Sequence, residues 1–153
     1  MVVYRHHVFI FSGKVWPYHI STVLLHHENL TSCFNNAQMN IEDYREYCLS
    51  LGADVEEKLP FTAFRYASGV LAFYVNDHMF SFFDCDDYGL VTLKCQPARI
   101  DELKAQHSCI GKPFNLSPKY WIGIDTKSAP DELLRELTRD SYEIVKAKYS
   151  KQR

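Results

Sequence analysis

The sequence predicts an α+β domain in which one antiparallel sheet of about five strands packs against helices. Short apolar runs separated by turn residues follow one another between residues 62 and 94, as in antiparallel hairpins. Segments with helical spacing of apolar residues lie before and after this region. The length of 153 residues suits one domain with a single core. The predicted order of elements is α-β-β-β-β-α-β-α.

The first half of the domain is predicted to contain one helix and four strands. Asn40 is suited to cap a helix over residues 41–51, which Gly52 ends. Residues 56–60 are predicted to form a connector, because Pro60 prevents a helix from continuing. The four strands are predicted at residues 62–67, 70–75, 79–83 and 90–94.

The second half is predicted to contain two helices and one strand. Pro97 suits the first turn of a helix, and residues 120–125 have the composition of a fifth strand. The last helix has the clearest apolar stripe, and Ser141 within it indicates close approach to the sheet. The stripe comprises Leu134, Leu137, Ser141, Ile144 or Val145, and Tyr149.

The first 38 residues differ from the rest of the chain. They hold five of the seven histidines but only three Lys, Arg, Asp or Glu residues. The apolar run at residues 8–11 is too short for an export signal, and no segment approaches the length of a membrane span. We therefore predict that residues 1–38 are an extension outside a domain at 39–153. Met39 is a candidate for the true start.

The five cysteines favour a cytoplasmic protein with reduced thiols. Their number is odd and their spacing is not that of a disulfide framework or a zinc site. The glycines are scattered and form no phosphate-binding loop. Residues 84–89 resemble a calcium loop, but Tyr88 and Cys95 occupy positions that need oxygen ligands. The sequence thus predicts no catalytic residue, no metal and no cofactor.

Basic side chains interleaved with aromatic ones are the candidate nucleic-acid contacts. Residues 39–153 carry 15 Lys or Arg and 18 Asp or Glu residues, so any phosphate-binding surface must be local. The C-terminal lysines are explained equally well as complements of a helix dipole. The candidate residues are Arg65, Lys94, Lys112, Lys119, Tyr120 and Trp121.

Several motifs, taken in order, resemble the MmcQ/YjbR family of small bacterial proteins. They are Leu-Pro-Phe at 59–61, Val-Thr-Leu-Lys-Cys at 91–95 followed by Pro97, the segment 115–121, and Asp-Ser-Tyr-Glu-Ile-Val at 140–145. The resemblance covers residues 39–153. It implies a frataxin-type (CyaY-like) sheet backed by helices and a DNA-binding role.

Two positions depart from the family pattern. The family often has Lys where this chain has Val70, and it often has His where this chain has Tyr120.

The leading functional prediction is a non-enzymatic binding protein with double-stranded DNA as its partner. Lys94, Lys112 and Lys119 would contact phosphates, and the strand hairpins would act as wings. One alternative is a protein-interaction or regulatory module that uses an aromatic sheet face. Another is a small-ligand binder or enzyme with a polar pocket. Its candidate side chains are Glu57, His78 and His107. A frataxin-like iron role is a further alternative by analogy alone.

Overall fold

The structure is a computed structural model and describes residues 38–150. They form a six-stranded antiparallel sheet and three helices, which confirms the α+β class. The strands lie in the order β1-β2-β3-β4-β6-β5. The helices are α1 (Ile41–Ser50), α2 (Pro97–Gln106) and α3 (Asp131–Tyr149). The strands are β1 (Val55–Lys58), β2 (Val70–Val75), β3 (His78–Asp84), β4 (Leu90–Lys94), β5 (Ile110–Gly111) and β6 (Trp121–Asp125).

Two segments of the first half differ from the sequence prediction. Residues 56–58 belong to β1, an edge strand paired with β2, so the predicted connector there is wrong. Residues 62–67 do not form a strand, and the segment between β1 and β2 is instead a loop built from turns. The predicted extension lies outside the described residues except for Gln38, and its boundary stays a prediction.

The loop at residues 59–69 is held by a series of short-range hydrogen bonds. The backbone N–H of Phe64 donates to Phe61 at 2.8 Å, that of Ala67 to Phe64 at 2.9 Å, and that of Val70 to Ala67 at 3.1 Å. Each bond joins residues three apart, a spacing that places side chains above one another. Three apolar residues at this spacing, Phe61, Phe64 and Ala67, line the same groove.

The main core lies between the sheet and the helices. A bulge in β3 helps to fill it, because the register with β2 shifts from Phe73–Ser81 to Tyr74–Met79 and leaves Phe80 as an extra residue. Phe80 joins the core, and the neighbouring Ser81 hydroxyl contacts Tyr44 of α1 at 2.8 Å. Both side chains thus point to the helices.

Ser141 fixes α3 against the sheet. Its Oγ donates to the carbonyl of Phe80 at 2.5 Å and accepts from the backbone N–H of Lys94 at 2.9 Å. The serine therefore joins β3 to β4 just beyond their last paired residues, Ser81 and Leu93. This confirms the predicted close approach. The buried members of the predicted stripe are Leu134, Leu137, Ser141 and Val145.

Candidate nucleic-acid interface

The sheet face opposite the helices carries a second, smaller apolar cluster. Its buried members are residues of β2, β3 and β6, and two loops, at 59–69 and 112–120, pack onto it. We call this surface the loop-covered face. The cluster consists of Val70, Ala72, Phe82 and Trp121, with Phe61, Ala67 and Leu116 packed against it from the loops.

A glycine allows the second loop to cross the sheet. A Cβ atom at Gly123 of β6 would lie 2.2 Å from the carbonyl oxygen of Lys112, a distance that no side chain can occupy. Further along the loop, the backbone N–H of Phe114 donates to the Thr92 hydroxyl at 3.3 Å. Asn115 then adopts a positive φ of 48°, which asparagine tolerates better than most residues. These features set the path of the loop.

An apolar groove of about 370 Å³ lies between the two loops. Its aromatic residues are unusually exposed for apolar side chains, with Tyr66 92%, Phe64 65% and Phe114 41% accessible. Solvent-exposed aromatic side chains grouped around a groove are typical of a binding surface. The groove is lined by Phe61, Phe64, Tyr66, Ala67, Val70, Met79, Phe82, Phe114, Asn115 and Leu116.

Four of the six predicted site residues lie together near one end of β4 and β6. Lys94 and Trp121 face each other in the strand register, and the Lys94 Nζ lies 4.8 Å from the centre of the Trp121 ring. The Lys119 Nζ lies 5.4 Å from the centre of the Tyr120 ring. Trp121 is only 8% exposed, so Tyr120 is the ring that remains accessible for stacking.

The other two predicted residues, Arg65 and Lys112, lie on the loops beside the groove. Arg65 is between Phe64 and Tyr66 in the chain, and both cations are exposed. Within residues 38–150, ion pairs use four other cations. Arg65, Lys94, Lys112 and Lys119 take part in none of those ion pairs, so their charge is available to an anionic partner. The ion-paired cations are Arg45, Lys58, Arg99 and Lys146.

The hairpin tips carry acidic residues. Asp77 lies in the turn between β2 and β3, Asp84 ends β3, and Asp86 and Asp87 lie in the next turn. The backbone N–H of Asp86 donates to Asp84 at 3.0 Å, as expected for a polar hairpin turn. Asp84 and Asp87 line a smaller pocket that adjoins the groove and shares Val70, Phe82 and Phe114 with it. Phosphates are repelled from both of these hairpin tips.

The structure does not bring together the residues considered for a polar pocket. Glu57 on β1 accepts from the Arg45 side chain at 2.6 Å. The His78 ring stacks on Tyr149 with 3.3 Å between centroids, and His107 follows the end of α2. None of these three candidates lines the groove. In the part of the chain that the structure describes, no three His, Cys, Asp or Glu side chains are placed to hold a metal ion.

Three of the four described thiols, those of Cys48, Cys85 and Cys95, are poor nucleophiles. Burial raises the pKa of Cys48 to about 12 and also raises that of Cys95. Cys85 is exposed, yet partial desolvation and the carboxylates of Asp84 and Asp86 raise its pKa as well. These three thiols therefore stay protonated near neutral pH, whereas nucleophilic attack needs a thiolate. Cys33 lies outside the described residues.

The comparisons with known proteins identify the family. The YjbR family model matches residues 51–144, more than half of the chain. The chain belongs to the YjbR family. This confirms the resemblance noted above, whereas the more specific likeness to frataxin-type folds stays a prediction. No curated protein matches this YjbR chain.

Two solved structures are similar to this YjbR chain. The Deinococcus radiodurans protein DR2400, described with a DUF419 domain, is 28% identical with a TM-score of 0.63, over 71% of this chain and 80% of that one. A Pseudomonas syringae protein is 17% identical with a TM-score of 0.57, over 70% of this chain and 99% of that one, a likeness of fold alone. No described helix is long and apolar enough to cross a membrane.

Proposed function

We propose that this YjbR chain is a non-enzymatic DNA-binding protein that uses its loop-covered face. One observation carries the proposal: four cations on this face form no ion pair within the described residues and lie among exposed aromatic side chains. The Lys94 Nζ lies over the Trp121 ring and the Lys119 Nζ over the Tyr120 ring, while Arg65 and Lys112 are exposed on the two loops that line the groove. Such cations position phosphates, and they specify no sequence.

The charge distribution sets how such a complex would behave. Residues 39–153 have an excess of three acidic residues, so attraction to DNA is confined to the basic patch. If all four cations each contact one phosphate of a duplex, log K falls with log salt concentration with a slope of about −4. Because the hairpin tips are acidic, we expect phosphates at the lysines rather than at the tips.

A duplex titration tests this proposal. Fluorescence anisotropy of a short labelled duplex is measured at low and moderate salt with the full chain, a Lys112→Gln/Lys119→Gln double variant, and Lys148→Gln as control. Lys148 is an exposed cation on α3, whose contacts are with the opposite sheet face. We expect the double variant to bind more weakly with a salt slope smaller by about 2, and the control to bind like the parent. Absence of binding to the duplex at low salt would refute binding of double-stranded DNA, and equal losses in both variants would refute the site.

The groove favours a second candidate, a small-ligand or protein-interaction site. Its lining is almost wholly apolar, and its volume falls within the range of roughly 300–1,000 Å³ that is usual for ligand sites. Two observations together would support this candidate. The chain would bind no DNA at low salt, and an uncharged aromatic compound would raise its Tm. This rise in Tm would be smaller in Phe64→Ala.

A further inference from the structure

We propose that the groove holds an unpaired base of single-stranded DNA, while the neighbouring cations hold the phosphates on either side of it. The inference rests on the proposed DNA-binding function and makes it more specific. It assigns the groove to the base and assigns Arg65 and Lys112 to the backbone of the strand. It also changes the preferred partner from a duplex to a single strand.

The walls of the groove suit a flat aromatic ligand. Phe61, Phe64 and Ala67 follow one another at intervals of three in the turn-built loop and form one wall, with Val70 at its base. Phe114 lines the groove from the second loop. Stacking a flat ring on a solvent-exposed aromatic side chain removes apolar surface from water, which is favourable. Every nucleic-acid base has a flat aromatic face that can stack in this way.

Asn115 gives the groove a hydrogen-bonding group suited to a base edge. It is the only residue in the lining with an amide side chain, and an amide offers both donors and an acceptor. The edges of bases present the same combination of donors and acceptors. Its positive φ of 48° places this residue at a fixed bend of the loop that Gly123 allows to cross the sheet.

The charges near the groove indicate that its partner is anionic, and they indicate in which direction a bound strand would leave the groove. Arg65 on one loop and Lys112 on the other are exposed and form no ion pair within residues 38–150. The groove itself is lined by no carboxylate, whereas Asp84 and Asp87 line an adjoining pocket that shares Val70, Phe82 and Phe114 with it. A strand would therefore run from the groove toward the lysines. An uncharged apolar peptide would make no use of these cations.

A single strand fits this arrangement better than a duplex does. Bases in a duplex are stacked and paired, so placing one in a protein groove requires unpairing it first. A single strand offers its bases without that loss. Stacking of one base on an aromatic side chain contributes about 5-fold to 150-fold in affinity.

The test compares three forms of one labelled oligonucleotide with the full chain: the single strand, its duplex, and the single strand with abasic sites at successive positions. The variants are Phe64→Ala and Tyr66→Ala, which alter exposed side chains and so spare the fold. Phe64→Tyr keeps a ring at this position. Leu59→Ala is the control, because Leu59 is exposed on the same loop but does not line the groove.

We expect the parent chain to bind the single strand more tightly than the duplex. The affinity for the single strand should fall at least 5-fold in Phe64→Ala. The parent chain should also bind the abasic strand at least 5-fold more weakly than the intact strand. Phe64→Tyr and Leu59→Ala should bind like the parent. Equal affinity for intact and abasic strands, or unchanged binding in both alanine variants, overturns the inference. If the inference fails in this way but the duplex still binds, and its binding depends on Lys112 and Lys119, the proposed DNA-binding function stands. Absence of binding to every form at low salt refutes both.

Discussion

Two tyrosines of the main core differ in what their hydroxyl groups contact. The Tyr44 hydroxyl lies 2.8 Å from the Ser81 Oγ and 3.0 Å from the Thr138 Oγ1. Burial raises its pKa well above the ordinary value, so the hydroxyl keeps its proton for one of these bonds. The Tyr88 hydroxyl is also buried, but it has no hydrogen-bond partner among the described residues. The rings of the two tyrosines are 5.9 Å apart.

This difference predicts opposite results for the same substitution. Tyr44→Phe should lower the free energy of unfolding by about 1–3 kcal/mol, because it leaves buried Ser81 and Thr138 with one partner fewer. Tyr88→Phe should leave stability unchanged or raise it by up to about 1 kcal/mol, since it removes a desolvated hydroxyl that gains nothing from folding. Urea unfolding followed by circular dichroism measures both. A comparable loss in the two variants would contradict this account.

At the level of elements, the sequence predicts strands whose short apolar runs are bounded by turn residues, and the helix with the clearest apolar stripe. Strands β2, β3 and β4 lie within one residue of their predicted bounds, and the predicted stripe lies on α3. Strand β1 was missed because its helix-facing residues are Val55 and Glu57, and the carboxylate of Glu57 is accommodated by Arg45. Because the Arg45–Glu57 ion pair between α1 and β1 takes the place of an apolar contact, the sequence of β1 lacks the alternation of apolar residues that predicts a strand.

The candidate site was predicted in part. Its cations and Tyr120 were identified from composition, but the groove was not, because residues 62–67 were interpreted as a strand. The apolar residues Phe61, Phe64 and Ala67 recur every third position, which is the period of the observed turns and not of a strand. That period was the available signal. Strand β5, at two residues, carries too short a pattern to predict.

Two glycines on paired strands test how the second loop is held. Gly123→Ala should destabilise the protein by about 1–3 kcal/mol, because its Cβ would collide with the Lys112 carbonyl and force the loop to move. Gly111→Ala is the matched control, since Gly111 pairs with Gly123 and a Cβ there meets no atom within 4 Å. Urea midpoints and affinity for labelled DNA are compared. Equal effects on stability would show that the crossing imposes no steric requirement.

The whole domain uses the two faces of one sheet differently. Helices cover one face and form the large core with it. Loops cover the other face, and several of their aromatic side chains are exposed to solvent. Most of the buried side chains lie on the helix-covered face, and the exposed side chains of the loop-covered face can change at little loss of stability. Substitutions at Phe64 or Tyr66 should therefore alter binding far more than folding.

The last prediction concerns the extent of the folding unit. The side chain of Met39 is buried, and its backbone N–H donates to Asp131 at the start of α3 at 2.9 Å. Among the described residues, 38–150, Met39 is the first that belongs to an apolar cluster. We therefore expect a chain that begins at Gln38 to fold alone, with a Tm within about 2 °C of the full chain, which corresponds to roughly 0.5 kcal/mol.

A chain that begins at Asn40 is the matched comparison, because it differs only by loss of Gln38 and Met39. It should be less stable by about 2–5 kcal/mol, the loss expected when a buried methionine side chain is removed from a core. Differential scanning calorimetry on the three chains measures this. A large drop in Tm on removing residues 1–37 alone would show that those residues belong to the folding unit, and the domain boundary predicted from the sequence would then be wrong.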